Sequence, residues 1–302
     1  MANHAPQTPA PSGFPAGTMI LARRGVVPIE GVATGEEVFT HRRRWMPVSA
    51  TTSGTAPTVR VRCASLISGL TMTADHEFRT RISRVLLDDG QADGLSTAGW
   101  TRARDLADGH RLASPLDFGT VALPVPALPA SAIDMDPGEV LRTVGIMART
   151  KGEAATAVRP DLVDWLAAHF GEYGAGRRFP AWALTLPVAS RTALLDGLVN
   201  DGSDRAQYAT RMTSKSFMVG MRLLVCSLGF AGGLSSSGRP GQVAWLLNWK
   251  REGGRRLDLD WFRWHSATRV ELGPVTEVFA LDVAEDRSFI ADGITVRAHT
   301  GR

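Results

Sequence analysis

The two residues best suited to chemistry are Thr73 and His76, in the stretch Leu70-Thr71-Met72-Thr73-Ala74-Asp75-His76-Glu77-Phe78. Thr and Met suit an extended strand, and Ala-Asp suits the turn that ends one. A histidine at such a strand-to-turn junction is held rigidly, with Thr73 and Asp75 within reach of its ring. That is how a proton donor is kept aimed at one peptide bond. Asp75 is the expected orienting partner of His76. A Thr-x-x-His spacing alone is also ordinary turn chemistry, so its meaning depends on the rest of the chain.

The elements that must position this pair read as β-structure. Met19-Ile20-Leu21-Ala22, Val26-Val27-Pro28-Ile29 and Glu37-Val38-Phe39-Thr40 are short apolar runs separated by Gly and Pro, the pattern of strands joined by tight turns. Val59-Arg60-Val61-Arg62-Cys63 alternates with period two, as a half-buried strand does. Trp100 to Gly109 reads as a short helical turn ending on glycine. After a Pro-rich connector, Leu123 to Pro129, the period changes. Val140 to Thr150 and Asp161 to Phe170 have helical spacing. Ser190 to Val199 is a helix with Ser190 as N-cap, and Thr213 to Leu228 is a long amphipathic helix closed by Gly229. Gln242 to Lys250 is strand-like. From Thr268 the β-pattern returns, with strands at Val275 to Val283 and at Ser288 to Val296, the latter folded about a turn at Asp292-Gly293.

These segments predict a β-domain formed by both chain ends and interrupted by an α/β insert. The expected division is a flexible arm at 1–12, the first β-part at 13–122, the insert at 123–257, the second β-part at 258–298 and a short tail at 299–302. The chain has 302 residues, 44% of them apolar, and a formal charge of +4, mildly basic and compatible with nucleic acid. Cys63 and Cys226 supply neither a disulfide framework nor a metal cluster, which points to a reducing, cytoplasmic compartment. No apolar run approaches about 18 residues, so no membrane span is expected. The Pro- and Ala-rich first dozen residues lack the pattern of a signal peptide.

Several blocks together resemble the inteins, which share the Hedgehog/intein (Hint) fold. They are Phe14-Pro15-Ala16-Gly17-Thr18, Val27-Pro28-Ile29-Glu30, Glu36-Glu37-Val38, Thr73-Ala74-Asp75-His76, Trp100 to Leu106, and Val278 to Val296. The insert resembles a LAGLIDADG homing endonuclease, on Leu194-Leu195-Asp196-Gly197-Leu198-Val199-Asn200-Asp201-Gly202-Ser203, Thr213-Ser214-Lys215-Ser216 and Leu228-Gly229-Phe230. The resemblance runs from residue 13 to 298. It implies a mostly β Hint fold with an inserted α/β endonuclease-like domain, acting as a monomer on its own flanking (extein) segments and needing no cofactor for splicing. In that chemistry a Cys or Ser at the first position attacks the preceding carbonyl, the His of the Thr-x-x-His block protonates the leaving nitrogen, and a terminal Asn cyclises to cut the chain.

The resemblance also marks departures. Gly13 stands at the first position and has no nucleophile. Ala298 stands at the terminal Asn position and cannot cyclise. Arg297 replaces a common penultimate His, and His299 follows the junction; sliding the end by two residues would instead make His299 penultimate and put Thr300 at the Asn position. Ala280 occupies the place of the cysteine used by a minor intein class, and Phe78 lies near that class's tryptophan. On this basis splicing is expected to be absent. In the endonuclease half, Asp201 fits one of the two metal-binding carboxylates that Mg2+-dependent cleavage needs, while Lys151 fills the other place, with Glu153 the nearest acid. Arg177, Arg178, Arg211, Lys215 and Lys250 are the candidate contacts to double-stranded DNA. Three functions follow: a self-processing protein without its nucleophiles, a DNA-binding or DNA-cleaving protein on a Hint scaffold, or an inert structural remnant.

Overall fold

The computed structural model describes residues 12–83, 94–119, 122–149, 160–199, 207–239, 242–250 and 258–299. Its first part is built of β1 (Phe14–Pro15), β2 (Met19–Ala22), β3 (Gly25–Pro28), β4 (Glu37–Phe39), β5 (Trp45–Cys63), β6 (Leu66–Thr73), β7 (Glu77–Ile82), β8 (Gly99–Arg102) and β9 (His110–Pro115). Then come the helices α1 (Pro137–Arg149), α2 (Pro160–Phe170), α3 (Trp182–Thr185) and α4 (Val188–Val199), the strand β10 (Gln207–Met212), the helix α5 (Lys215–Ser227), and strands β11 (Ala231–Ser237) and β12 (Ala244–Lys250). The chain closes with β13 (Asp258–Leu259), β14 (Phe262–Val283), β15 (Ser288–Ala291) and β16 (Ile294–Arg297). The fold is mostly β.

Two long strands organise it. β5 and β14 run antiparallel from Ala267 opposite Cys63 to Val283 opposite Val48, with three register breaks along the way. Such breaks bend and twist a long ladder, so one strand can serve both ends of a curled sheet. The start of β14 pairs with β9, while Val278 and Phe279 pair with β1. β7 lies between β8, β9 and β16, and β15 and β16 form a hairpin in which Ala291 faces Ile294. The hairpin turns through Asp292 (φ 45°) and Gly293 (φ 79°), the left-handed pair that suits the twist of a two-residue loop. The strands that carry residues 14 and 297 are thus brought to the same sheet as the Thr73–His76 turn.

Some elements depart from expectation in detail. The segment read as a helical turn at Trp100 is strand β8 followed by a 3-10 turn at Ala103–Asp105. α4 begins at Val188, so Ser190 lies inside the helix rather than at its cap. α5 begins at Lys215, because the Ser214 hydroxyl accepts from the Phe217 amide (3.1 Å) and fixes the start there. α1 and α4 pack so closely that a Cβ on Gly145 would come within 2.7 Å of the Leu198 amide nitrogen, and one on Gly197 would overlap the Arg142 carbonyl. Small residues at that crossing let the two backbones touch.

One apolar core runs through both parts: Phe14, Ile20, Val26 and Phe289 share it with Phe179, Phe217, Leu194 and Leu223. The Val26 amide donates to Phe179 O (2.9 Å), and Lys215 Nζ donates to Gly17 O and Asp292 Oδ2 (both 2.8 Å). The described residues of 123–257 are therefore packed against the β-part, not merely tethered to it. Among the described residues no helix is long and apolar enough to cross a membrane.

Candidate functional site

Thr73 ends β6 and His76 precedes β7, and the turn between them is closed by the His76 amide donating to Thr73 O (3.1 Å). The 3-10 turn at Ala103–Asp105 holds this loop from outside: the Ala103 amide donates to His76 O (2.8 Å) and the Arg104 amide to Ala74 O (3.0 Å). The strand-to-turn junction read from the sequence is present, and the imidazole is pinned at its backbone.

The other side of the site is the start of the described chain. The Thr73 amide donates to Gly13 O (2.9 Å), and the Gly13 amide donates to Thr73 Oγ1 (3.1 Å). Ser12 Oγ lies 3.3 Å from Thr73 Oγ1 and 3.2 Å from His76 Nδ1. A consistent donor order runs Gly13 N–H to Thr73 Oγ1, Thr73 O–H to Ser12 Oγ, and Ser12 O–H to His76 Nδ1, with neutral His76 as the final acceptor.

His76 is buried, with Phe14 edge-on at 4.3 Å between ring centroids and Phe289 at 6.3 Å. Burial among these rings pushes its pKa from 6.5 down to about 4, and His299 pushes the same way, against the opposing effect of the Ser12 and Arg297 backbone. Nε2 is buried and makes no hydrogen bond. At neutral pH the ring is uncharged, the form that takes a proton from a hydroxyl.

The last described residues enter the same place. The Ala298 amide donates to Arg287 O (2.9 Å) and the His299 amide to Leu281 O (2.8 Å). Ser12, His76, Arg297, Ala298 and His299 line one open cleft of about 420 Å³, with Asp75 and Glu77 on its wall. Ser12 and Ala298, 286 positions apart in the sequence, meet at one histidine.

Other sequence candidates take different places. Asp75 pairs with Arg104 at 2.7 Å and is largely exposed, so Ser12 is the side chain at His76 Nδ1 that Asp75 was expected to be. Arg297 forms an ion pair with Glu77 (2.7 Å) and lies 5.9 Å from the Trp100 ring, which leaves a fixed cation where a titratable ring was considered. Ala280 is buried on β14 beside Gly13, and Phe78 is fully buried. At Gly13 a Cβ would overlap the Phe279 carbonyl oxygen and lie 3.2 Å from the Ala280 nitrogen. Position 13 therefore has no room for any side chain, a reason beyond the missing thiol why it cannot supply a nucleophile.

Among the five basic candidates, one is corrected, Arg177, and Lys215 is already engaged within the protein. Arg177 is buried and donates to the carbonyls of Gly171 and Met147, and Lys215 is held by Gly17 O and Asp292. Arg177 does not face outward for a phosphate, whereas Lys215 is partly exposed and lines an open cleft beside Trp245. Arg178, Arg211 and Lys250 are exposed. Asp201, Glu153 and Lys151 lie outside the described residues. Among those described, no three His, Cys, Asp or Glu side chains group to hold a metal ion.

Ser12 was missed by sequence reading. It stands at the end of a Pro- and Ala-rich arm, and nothing in its neighbours marks it; only the register of β1 against β14 brings it over His76.

No protein-family model and no curated protein matches the chain. Among solved structures, it is similar to an Ssp DnaB mini-intein variant (12% identity, 98% of this chain and 99% of that one, TM-score 0.40). It is also similar to a DnaB intein from Synechocystis (11% identity, 95% and 98%, TM-score 0.38). A third is a bacterial intein-like domain from Clostridium thermocellum (10% identity, 94% and 97%, TM-score 0.32).

Proposed function

We propose that this chain is an intein-like self-processing element that keeps the site for acyl transfer on its own backbone and has lost the groups for ligation. The observation that carries this reading is the meeting of Ser12–Gly13 and Ala298–His299 at His76 in one cleft. Thr73 holds the Ser12–Gly13 peptide group by its nitrogen, and His76 lies on the carbonyl side, so that group is fixed between a donor–acceptor hydroxyl and a base. Joining flanking segments is not supported, because Gly13 has no nucleophile and Ala298 no side-chain amide to cyclise.

Ala298→Asn tests the reading without involving Ser12. The new side-chain nitrogen can attack its own backbone carbonyl, forming a succinimide and releasing residues 299–302. The expected result is slow loss of that tetrapeptide over hours to days, seen as a mass decrease of the intact protein and absent from the parent. An Ala298→Asn protein that stays whole for days would show that this end is not a processing junction.

DNA contact through the insert is a second reading, favoured by Arg211 and Lys250 standing exposed on the neighbouring antiparallel strands β10 and β12. Weak duplex binding is expected, with log affinity falling against log salt at about 0.9 per phosphate neutralised. Arg211→Ser with Lys250→Ser should flatten that slope. An unchanged slope would remove the DNA role of these two residues.

A further inference from the structure

We propose that Lys215 and Arg222 of α5 are positioning residues for the C-terminal junction: they hold the Asp292-Gly293 turn, and through it the hairpin β15–β16 sets Ala298 and His299 in the cleft. The inference rests on the self-processing reading and gives a helix of the insert a part in it. The two side chains are seven positions apart, about two helical turns, and so lie on one face of α5. Lys215 Nζ donates to Asp292 Oδ2 and to Gly17 O (both 2.8 Å), and Arg222 Nη2 donates to Asp292 O (3.1 Å). The rest of the turn is held by the β-part. Asp292 Oδ1 accepts from the Met19 amide (2.9 Å), the Asp292 amide donates to Met19 O (2.7 Å), and Ser114 Oγ donates to Gly293 O (2.7 Å). A Cβ on Gly293 would overlap the Arg222 guanidinium, so this side chain lies directly against the backbone of the turn.

Each strand of this hairpin has only four residues, too few for a two-stranded ribbon to hold itself in water. Its outside contacts therefore place it. β15 pairs with β2 at Ala291 and β16 with β7 at Val296, and α5 supplies two of the contacts at the turn. Ala298 follows β16 directly, so a turn that swings outward carries the junction with it. The charges give the turn a reason to swing when the clamp is removed. The Asp292 side chain is 3% exposed and that of Lys215 19%. Without the lysine, Oδ2 of a buried carboxylate loses its cation, and such a charge draws its segment towards water. Arg222 is fully buried, and its Nε and Nη1 have no hydrogen-bond partner among the described residues. Its anchor is the Asp292 carbonyl, which ties the insert to the C-terminal turn at this point.

The test is amide hydrogen exchange of the full chain, read over residues 290–299 and, for reference, over β5. Lys215→Met should raise exchange over 290–299 by at least about tenfold and leave β5 unchanged, whereas Lys215→Arg, which keeps the cation, should match the parent. Arg222→Met should open the same segment. In an Ala298→Asn background, Lys215→Met should slow release of residues 299–302 by about 10–10²-fold, the cost of a misplaced reacting group. Unchanged exchange over 290–299 in Lys215→Met overturns the proposal. An equal rise in β5 also overturns it, since that is loss of stability throughout the fold and not loss of position. So does a Lys215→Arg protein that exchanges like Lys215→Met, or release from Lys215→Met/Ala298→Asn as fast as from Ala298→Asn alone. Unchanged exchange in Arg222→Met removes Arg222 from the assignment. Absence of release from Ala298→Asn itself counts against the self-processing reading, and exchange of the Ala298 and His299 amides then still decides whether α5 holds that end in place.

Discussion

Gly13→Cys is expected to destabilise the protein rather than to arm it. A thiol at this position is the obvious repair by comparison with inteins, and on sequence alone it would be tried first. The backbone at Gly13 lies against the Phe279 carbonyl, where an added Cβ would overlap the oxygen. That carbonyl belongs to a strand paired with β1 on one side and β5 on the other, so it cannot move without disturbing both ladders. Overpacking of a buried site typically costs about 1–3 kcal/mol, and an immovable backbone neighbour places this case at the upper end. Gly13→Ala should show the same loss, since the clash belongs to Cβ and not to sulfur. Urea denaturation of both variants measures it. Two variants as stable as the parent, with thiol-dependent cleavage in Gly13→Cys, would mean that β14 yields and that position 13 is the reacting one.

Acid should destabilise the fold well before its carboxylates are protonated. His76 is 3% exposed and its pKa falls from 6.5 to about 4 on folding, because burial penalises the charged ring. The unfolded chain binds a proton at His76 below pH 6.5, and the folded one does so only near pH 4. Stability is thus at its full value above about pH 6.5 and is lost as pH falls through that window, by about 3 kcal/mol from His76. His41, also lowered to about 4 mainly by burial, and His265, pushed well down by burial with Arg222 and Arg263 beside it, act in the same direction. Denaturation midpoints at pH 7, 6, 5 and 4 measure the trend, and His76→Gln should have the shallower profile. A parent profile flat between pH 7 and pH 4, or a His76→Gln profile parallel to it, would contradict a buried neutral His76.

Much of the β-part was legible from the sequence because its signals are local. The Asp292-Gly293 pair specifies a two-residue turn wherever it occurs between apolar runs, and β15 and β16 follow. Met19–Ala22 and Gly25–Pro28 pair as their Gly-punctuated runs imply. The length of β5 was not legible, since Gly54 and Pro57 interrupt its pattern and only pairing with β14 carries the strand through them. β11 is Gly- and Ser-rich and has no strand signature of its own; it is a strand because β12 pairs with it from Ala231 to Ser237. The site divides the same way. Thr73 and His76 stand on a turn that their own neighbours specify. Ser12, the inward turn of Lys215 towards Asp292, and the closed space at Gly13 are set by segments more than 60 positions away, and no local pattern records them.

Self-processing at His76 is tested most directly by the rate at which the full chain, at pH 7, releases the residues before Gly13, compared between the parent and His76→Ala. The expected result is a break in the segment 11–13 that slows by about 10²–10⁴-fold when the imidazole is removed, with the rest of the chain intact. Equal rates in the two proteins, or no break in either, would contradict it.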